Sequence, residues 1–154
     1  MKTFKLLLKI VRAFFCMKKV SKYTFMWTLG GCIYYGFELF FRGFSHWTMF
    51  VVGGICFLFI YIQGALFNWT ESIACQTIRS IIFVTAIEFI SGIVLNKWLN
   101  LGIWSYERMP FHLFGQICLP FAIIFSGLCV FGILLSSYIG YWFYGEEKPH
   151  FHIL

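Results

Sequence analysis

The sequence predicts an all-α integral membrane protein: four transmembrane helices, arranged as two parallel-repeat hairpins if an internal similarity is real, behind an amphipathic N-terminal helix. Three observations carry this. Of 154 residues, 60% are hydrophobic and only 12% charged, a balance outside that of soluble domains. Four windows are long and apolar enough to cross about 30 Å of hydrocarbon as helix. Basic residues crowd ahead of the first window.

The leading segment, residues 1–22, places Lys2, Lys5, Lys9, Arg12 and Lys19 at mostly three- and four-residue spacing, with Phe4, Leu7, Leu8, Val11, Phe14 and Phe15 on the complementary face. This pattern suits a helix lying on a membrane surface. Lys9 and Arg12 break what would be the apolar core of a signal peptide. With seven Lys/Arg and no acid before the first span, the positive-inside rule puts the N-terminus in the cytoplasm. Four spans return the C-terminal tail, residues 146–154, to the same side. The expected location is the plasma membrane, multi-pass.

The spans are expected at Thr24–Phe41, Thr48–Phe67, Ser72–Leu95 and Ile117–Tyr144, which with their connections form one domain over 23–145. The third contains Arg79 and Glu88. A central carboxylate costs about 2.5–3.5 kcal/mol on an insertion scale while each Ile, Phe or Val returns about 0.3–0.6, so the span still inserts. Arg79 is expected to reach the inner headgroups. Gly30-Gly31, Gly53-Gly54, Gly64, Gly127 and Gly132 are expected to let helices approach closely.

Two halves of the chain look alike. "FELFFRG…HW…GGICF" (Phe37 to Phe57) and "IEFISG…W…GQICL" (Ile87 to Leu119) share a late Glu, a following Gly, a Trp and a Gly-x-Ile-Cys-like string. Units two spans apart enter the membrane from one side, so a duplication would be parallel.

Glu38 and Glu88 both fall in the outer halves of their spans. Arg42 follows Glu38 by four residues on one helical face and is placed to pair with it. Glu88 has no such neighbour, so it is either protonated or paired across helices with Arg42, Arg108, His46 or His112. Intramembrane acids face bundle interiors or watery cavities. Two readings follow for Glu88: a polar ligand site between helices, or a hydrogen-bonded pin. The outer connection Asn96–Gln116 is long for a compact domain, and its Trp98, Trp104, Tyr106, Phe111 and Phe114 argue that it folds back on the bundle. Trp47, Trp98, Trp104 and Tyr106 suit an aromatic belt, or the wall of a pocket. The candidate ligand-binding set is Glu38, Arg42, His46, Glu88, Trp104, Tyr106, Arg108, His112 and Gln116.

Other chemistry is thinly represented. Cys16, Cys32, Cys56, Cys75, Cys118 and Cys129 form no C-x-x-C pair, so neither a zinc site nor a disulfide framework is expected. His150 and His152 belong to an expected solvated tail, and the sequon Asn68-Trp69-Thr70 to an inner turn. No phosphate-binding loop, nucleophile elbow or zincin helix is present. No catalytic residue, metal or cofactor is implied, and the net charge of +6 is accounted for by the inner face without nucleic acid.

The strings R-G-x-S-H-W (Arg42–Trp47), G-G-I-C (Gly53–Cys56) and W-x-Y…P-x-x-x-x-G-Q-I-C (Trp104–Cys118) together resemble the small bacterial membrane-protein family named putative ABC-transporter type IV, or CmpB-like, over about Trp27 to Phe125. Ser105 and His112 stand where that family typically has Asp and Asn. The resemblance implies a permease-type role, with the lipid bilayer, an ATPase or other subunit, and further copies of the chain as partners. Three functions are carried forward: a transport-associated subunit with an outer polar site, a non-catalytic accessory protein whose Glu/Arg pairs are structural, and a membrane-embedded enzyme.

Overall fold

Long apolar stretches without internal proline leave the backbone no way to satisfy its polar groups in hydrocarbon except by helix, and helices make up most of this chain. The computed structural model describes the backbone of residues 2–67 and 71–152, with side chains from residue 19 onward. The apolar and basic faces expected of the leading segment, Cys16 and the Asn68–Thr70 sequon lie outside the described residues. Helix α1 runs unbroken through Lys2–Arg42, α2 through Trp47–Leu66, α3 through Ile73–Gly92 and α4 through Leu119–Tyr144. A π-helical segment, Ile93–Trp98, extends α3, and a small antiparallel hairpin of β1 (His112–Leu113) and β2 (Ile117–Cys118) precedes α4.

Among the described residues three helices are long and apolar enough to cross a membrane: Trp47–Leu66, Ile73–Trp98 and Leu119–Tyr144. They correspond to the second, third and fourth expected spans. The first expected span lies within α1 and does not reach the same level, because Tyr34, Tyr35, Glu38 and Gly30, Gly31 and Gly36 dilute its apolar residues. The two Gly-x-Ile-Cys-like strings also differ in position: Gly53–Cys56 lies inside α2, whereas Gln116–Cys118 lies in the hairpin ahead of α4.

α1 and α2 pack antiparallel with their backbones nearly touching. A Cβ on Gly54 would lie 2.6 Å from the Trp27 carbonyl oxygen, and one on Gly31 would lie 2.6 Å from that of Phe50. Gly30 accepts Phe57 and Gly53 accepts Tyr34 in the same seam. This is how small residues bring membrane helices together where no hydrophobic drive operates between them. Gly127 departs from expectation, since nothing lies within 4 Å of its Cβ position. Across the bundle, Phe59 of α2 stacks on Phe83 of α3 at 3.8 Å. Met26, Phe57, Tyr61, Cys129 and Ile133 form the main buried cluster.

The end carrying the tail is called inner here, and the end carrying residues 99–118 outer, after the orientation expected from sequence. At the inner end the Glu146 carboxylate accepts from Lys22 Nζ at 2.6 Å and from the Tyr61 hydroxyl, tying α1, α2 and the end of α4 together. Arg79 does not simply extend to headgroups: Glu71 pairs with its guanidinium, Gln63 accepts from its Nε at 3.3 Å, and the Phe67 ring lies beneath it at 4.8 Å. The tail is docked, with the His152 carbonyl accepting from Ile73 N at 2.8 Å, Pro149 buried and Phe151 against the core. His150 and His152 themselves stay exposed.

Polarity is inverted relative to a soluble fold. Gln63, Gln76, Ser80, Glu88, Gln116, Ser136 and Ser137 are buried, while Phe40, Trp47, Leu66, Ile82, Ile123 and Trp142 are exposed. That is the arrangement hydrocarbon selects.

The α1–α2 seam gives a paired prediction. Gly54→Ala is expected to lower stability by about 1–3 kcal/mol, the cost of overpacking a close contact, whereas Gly127→Ala should be neutral or stabilising because helix propensity improves and nothing is displaced. Unfolding titrations in mixed micelles measure both; equal effects would contradict the seam.

Candidate functional site

The outer end is built around two glutamates one helix apart. Glu38 is satisfied on every side: Arg42 donates Nη1–H to its Oε1 at 2.8 Å, and Ser45 donates its hydroxyl to Oε2 at 2.5 Å. The i,i+4 spacing within α1 makes the ion pair, and Gly43, at φ 74°, turns the chain so that Ser45 comes back over it. Arg42 also donates Nη2–H to the Ile103 carbonyl at 2.5 Å. Its forked guanidinium thereby joins helix α1 to the outer connection, a geometry lysine could not reproduce.

Glu88 is only 6% exposed, and the Tyr106 hydroxyl donates to its Oε1 at 3.1 Å. No cation pairs with it among the described residues, and its Oε2 has no hydrogen-bond partner there. The expected partners are otherwise occupied or remote. Arg42 is held by Glu38 and Ile103. His46 caps α2 through Nδ1, which faces Thr48 Oγ1 at 2.9 Å and accepts from Thr48 N at 3.4 Å. His112 accepts from Gly115 N at 3.2 Å within the hairpin turn. Arg108 is exposed.

Tyr106 belongs to the outer connection, outside the helices. Burial pushes its phenol well above the usual range, the charge of Glu88 and the hydrogen bond to it push the same way, and Arg42 opposes them. The hydroxyl therefore stays protonated and donating at any physiological pH. Tyr34 of α1 lies within electrostatic reach of Glu38, Glu88 and Tyr106, so these residues and Arg42 make one cluster of two carboxylates, one guanidinium and two phenols.

What delivers Tyr106 is a clamp that the residue pattern did not announce. The π-helical segment turns Asn96 inward, and its amide donates to the Trp104 carbonyl at 3.0 Å and to Gln116 Oε1 at 2.8 Å while Oδ1 accepts from Ile103 N at 2.7 Å. Trp104 Nε1–H in turn donates to the Gln116 carbonyl at 3.0 Å. Gln116 packs over Gly92, where a Cβ would lie 2.6 Å from its Oε1. Asn100, Gly102, Phe111, Phe114 and Gly115 all take positive φ to bend the connection back. Ile103 and Trp104 then plug between Met49 of α2 and Leu95. Trp104 and Gln116 are thus the frame of the site, whereas Trp47 and Trp98 point outward as a belt would.

A second polar cluster lies deeper, toward the inner end. Gln63 donates Nε2–H to the Gln76 carbonyl at 3.1 Å and to the Ser80 hydroxyl, which itself donates to the Gln76 carbonyl at 2.7 Å. Gln76, Ser80, Glu88 and Gly92, four residues or a multiple of four apart, are all buried along one ridge of α3, a ridge that winds about 40° around the helix for each step of four. Val84 interrupts them. This stripe was legible only as breaks in an apolar run. Among the described residues no group of three or more His, Cys, Asp and Glu converges as a metal site would require.

The two glutamates should differ sharply on neutralisation. Glu38→Gln strands Arg42 beside a buried amide and is expected to cost about 3 kcal/mol, the low end for a broken buried pair because Arg42 keeps some access to water. Glu88→Gln keeps an oxygen for Tyr106 and is expected to cost no more than about 1 kcal/mol. Denaturation of both variants checks the difference; a Glu88→Gln as damaging as Glu38→Gln would make Glu88 a structural pin.

No curated protein and no solved structure matches the chain. One family profile does, over residues 20–144, a span that takes in the Glu38–Arg42 pair, Glu88, the outer connection and all of α4. With most of its length matched, the chain belongs to the family described as Putative ABC-transporter type IV.

Proposed function

We propose that the protein is a transport-associated, permease-type membrane subunit whose outer polar cluster, centred on Glu88, binds a small solute. The observation that carries this is a buried carboxylate with, among the described residues, a free oxygen and no countercharge, and with a hydrogen-bond partner supplied by the outer connection. A residue kept only to hold helices together would be expected to look like Glu38, with both oxygens engaged. The family's description agrees with a role beside a transporter.

On this reading the membrane is the plasma membrane, and α1 supplies a fourth span through Thr24–Phe41 because it packs alongside α2 over that helix's length. Both termini are cytoplasmic, and the basic segment 1–22 lies on the inner side of that span, continuous with it in α1. Energy comes from an ATPase or another partner subunit. A further copy of the chain would enlarge a site that four short helices leave small. A second reading, a non-catalytic accessory protein, draws on the Arg42–Ile103 link and the Asn96 clamp, which do structural work. The enzyme reading lacks a third, orienting group beside Glu88 and Tyr106.

The test is the melting temperature of purified wild type and Glu88→Gln against small inorganic anions, amines and neutral polyols. A binding site predicts that one of these classes raises the wild-type midpoint by several degrees and leaves the variant unmoved. Wild type insensitive to all three, with a variant that is merely less stable, would favour the accessory protein.

A further inference from the structure

Below the outer cluster a half-open cavity of about 80 Å³ lies between α1 and α4, floored by α2 and Val84 of α3. Its walls are almost wholly apolar, and Phe37 and Phe131, both exposed, stand at its rim. Two of its lining residues, Tyr34 and Phe125, belong to a continuous row of rings. Tyr34 lies 6.5 Å from Phe125, Phe125 lies 6.2 Å from Phe121, and Phe121 stacks on Tyr106 at 4.7 Å. Tyr106 ends the row at the Glu88 carboxylate. The row of rings therefore links the cavity wall at Tyr34 and Phe125 to the Glu88 carboxylate, which is not itself among the lining residues.

Charge decides what such a site takes. Arg42 already gives one nitrogen to Glu38 and the other to Ile103, Lys97 faces Glu107 at 3.6 Å on the surface, and Arg108 is exposed. Among the described residues an anion would find no unpaired buried cation at this end. A group with positive charge would find the unpartnered Oε2 of Glu88, and the faces of Tyr34, Tyr106, Phe121 and Phe125 would stabilise it further, as aromatic walls do for ammonium ions. Short apolar substituents on that cation would fill the cavity beneath, which an inorganic ion would leave empty.

We propose that the outer site recognises an amphipathic ammonium, with its charged head at Glu88 and its apolar body in the cavity between α1 and α4. The proposal rests on the reading of Glu88 as a binding site and narrows it to one ligand class. Glu88 supplies the countercharge, Tyr106 holds the carboxylate in place through Oε1, and the row of rings lines the route between head site and cavity.

The experiment uses the full chain in lipid nanodiscs, with unfolding followed by tryptophan fluorescence and with hexylammonium, methylammonium, hexanoate and hexanol as probes. Hexylammonium is expected to raise the wild-type midpoint; hexanoate and hexanol should not. Glu88→Gln should weaken the hexylammonium response tenfold or more in midpoint concentration. Leu128→Phe, which narrows the cavity, should weaken hexylammonium while sparing the smaller response to methylammonium. A response to hexanoate or hexanol equal to that of hexylammonium, a hexylammonium response that survives Glu88→Gln, or none in wild type overturns the proposal. Stabilisation by an anion or polyol that Glu88→Gln abolishes would overturn it too, while leaving the site itself standing. Insensitivity to every solute would remove both.

Discussion

A carboxylate held in hydrocarbon without a cation is the constraint from which the outer half of this molecule follows. Ionised groups are costly to bury, and a carboxyl group there lowers the cost by taking up a proton or by accepting from donors carried to it. Helix α3 cannot supply them, because its backbone N–H groups are consumed by the helix itself. The donor comes instead from Tyr106, 18 residues further along the chain. To bring it there the connection must fold back over the bundle mouth, and a connection folded back needs its own polar groups satisfied. Asn96, Gln116 and the Trp104 indole do that. The π-helical segment, the positive-φ positions and the close fit of Gln116 on Gly92 are consequences of the same requirement.

The rest of the bundle is organised so that this end can be polar. Backbone contact along Gly30, Gly31, Gly53 and Gly54 fixes α1 to α2 without large interlocking side chains. The inner end is tied independently by Lys22, Tyr61 and Glu146, by Glu71, Arg79 and Gln63, and by the returning tail. Between these ends α1 and α4 separate and leave the apolar cavity.

Much of this was legible in the sequence where the signal is local. Unbroken apolar runs gave α2, α3 and α4 to within a few residues, and the four-residue spacing of Glu38 and Arg42 gave their ion pair. The aromatic content of residues 98–114 foretold an ordered connection. Contacts between elements distant in sequence were not legible. Hydropathy says that Glu88 is surrounded by apolar neighbours, yet nothing in it distinguishes Tyr106 from the four cations and imidazoles that seemed equally placed. Asn96 looked like a loop residue because a π-helical turn has no compositional mark. Gln63, Gln76 and Ser80 carried no signal of their own, because polar residues spaced along apolar runs become a cluster only once a neighbouring helix faces them. The docking of Phe151 and Pro149 was hidden for a similar reason, in a tail whose charge and histidines suggested solvent.

The most direct test of the central claim is the reactivity of a thiol at position 88. Glu88→Cys, in a chain whose native cysteines are replaced, would be exposed in oriented membrane vesicles to a small, membrane-impermeant thiol reagent, with Ile82→Cys on the lipid-facing side of the same helix as control. A polar site at the outer end predicts that position 88 reacts from the outer face and position 82 does not. Position 88 unreactive from both faces, like position 82, would mean that Glu88 is sealed in the bundle and that no site opens there.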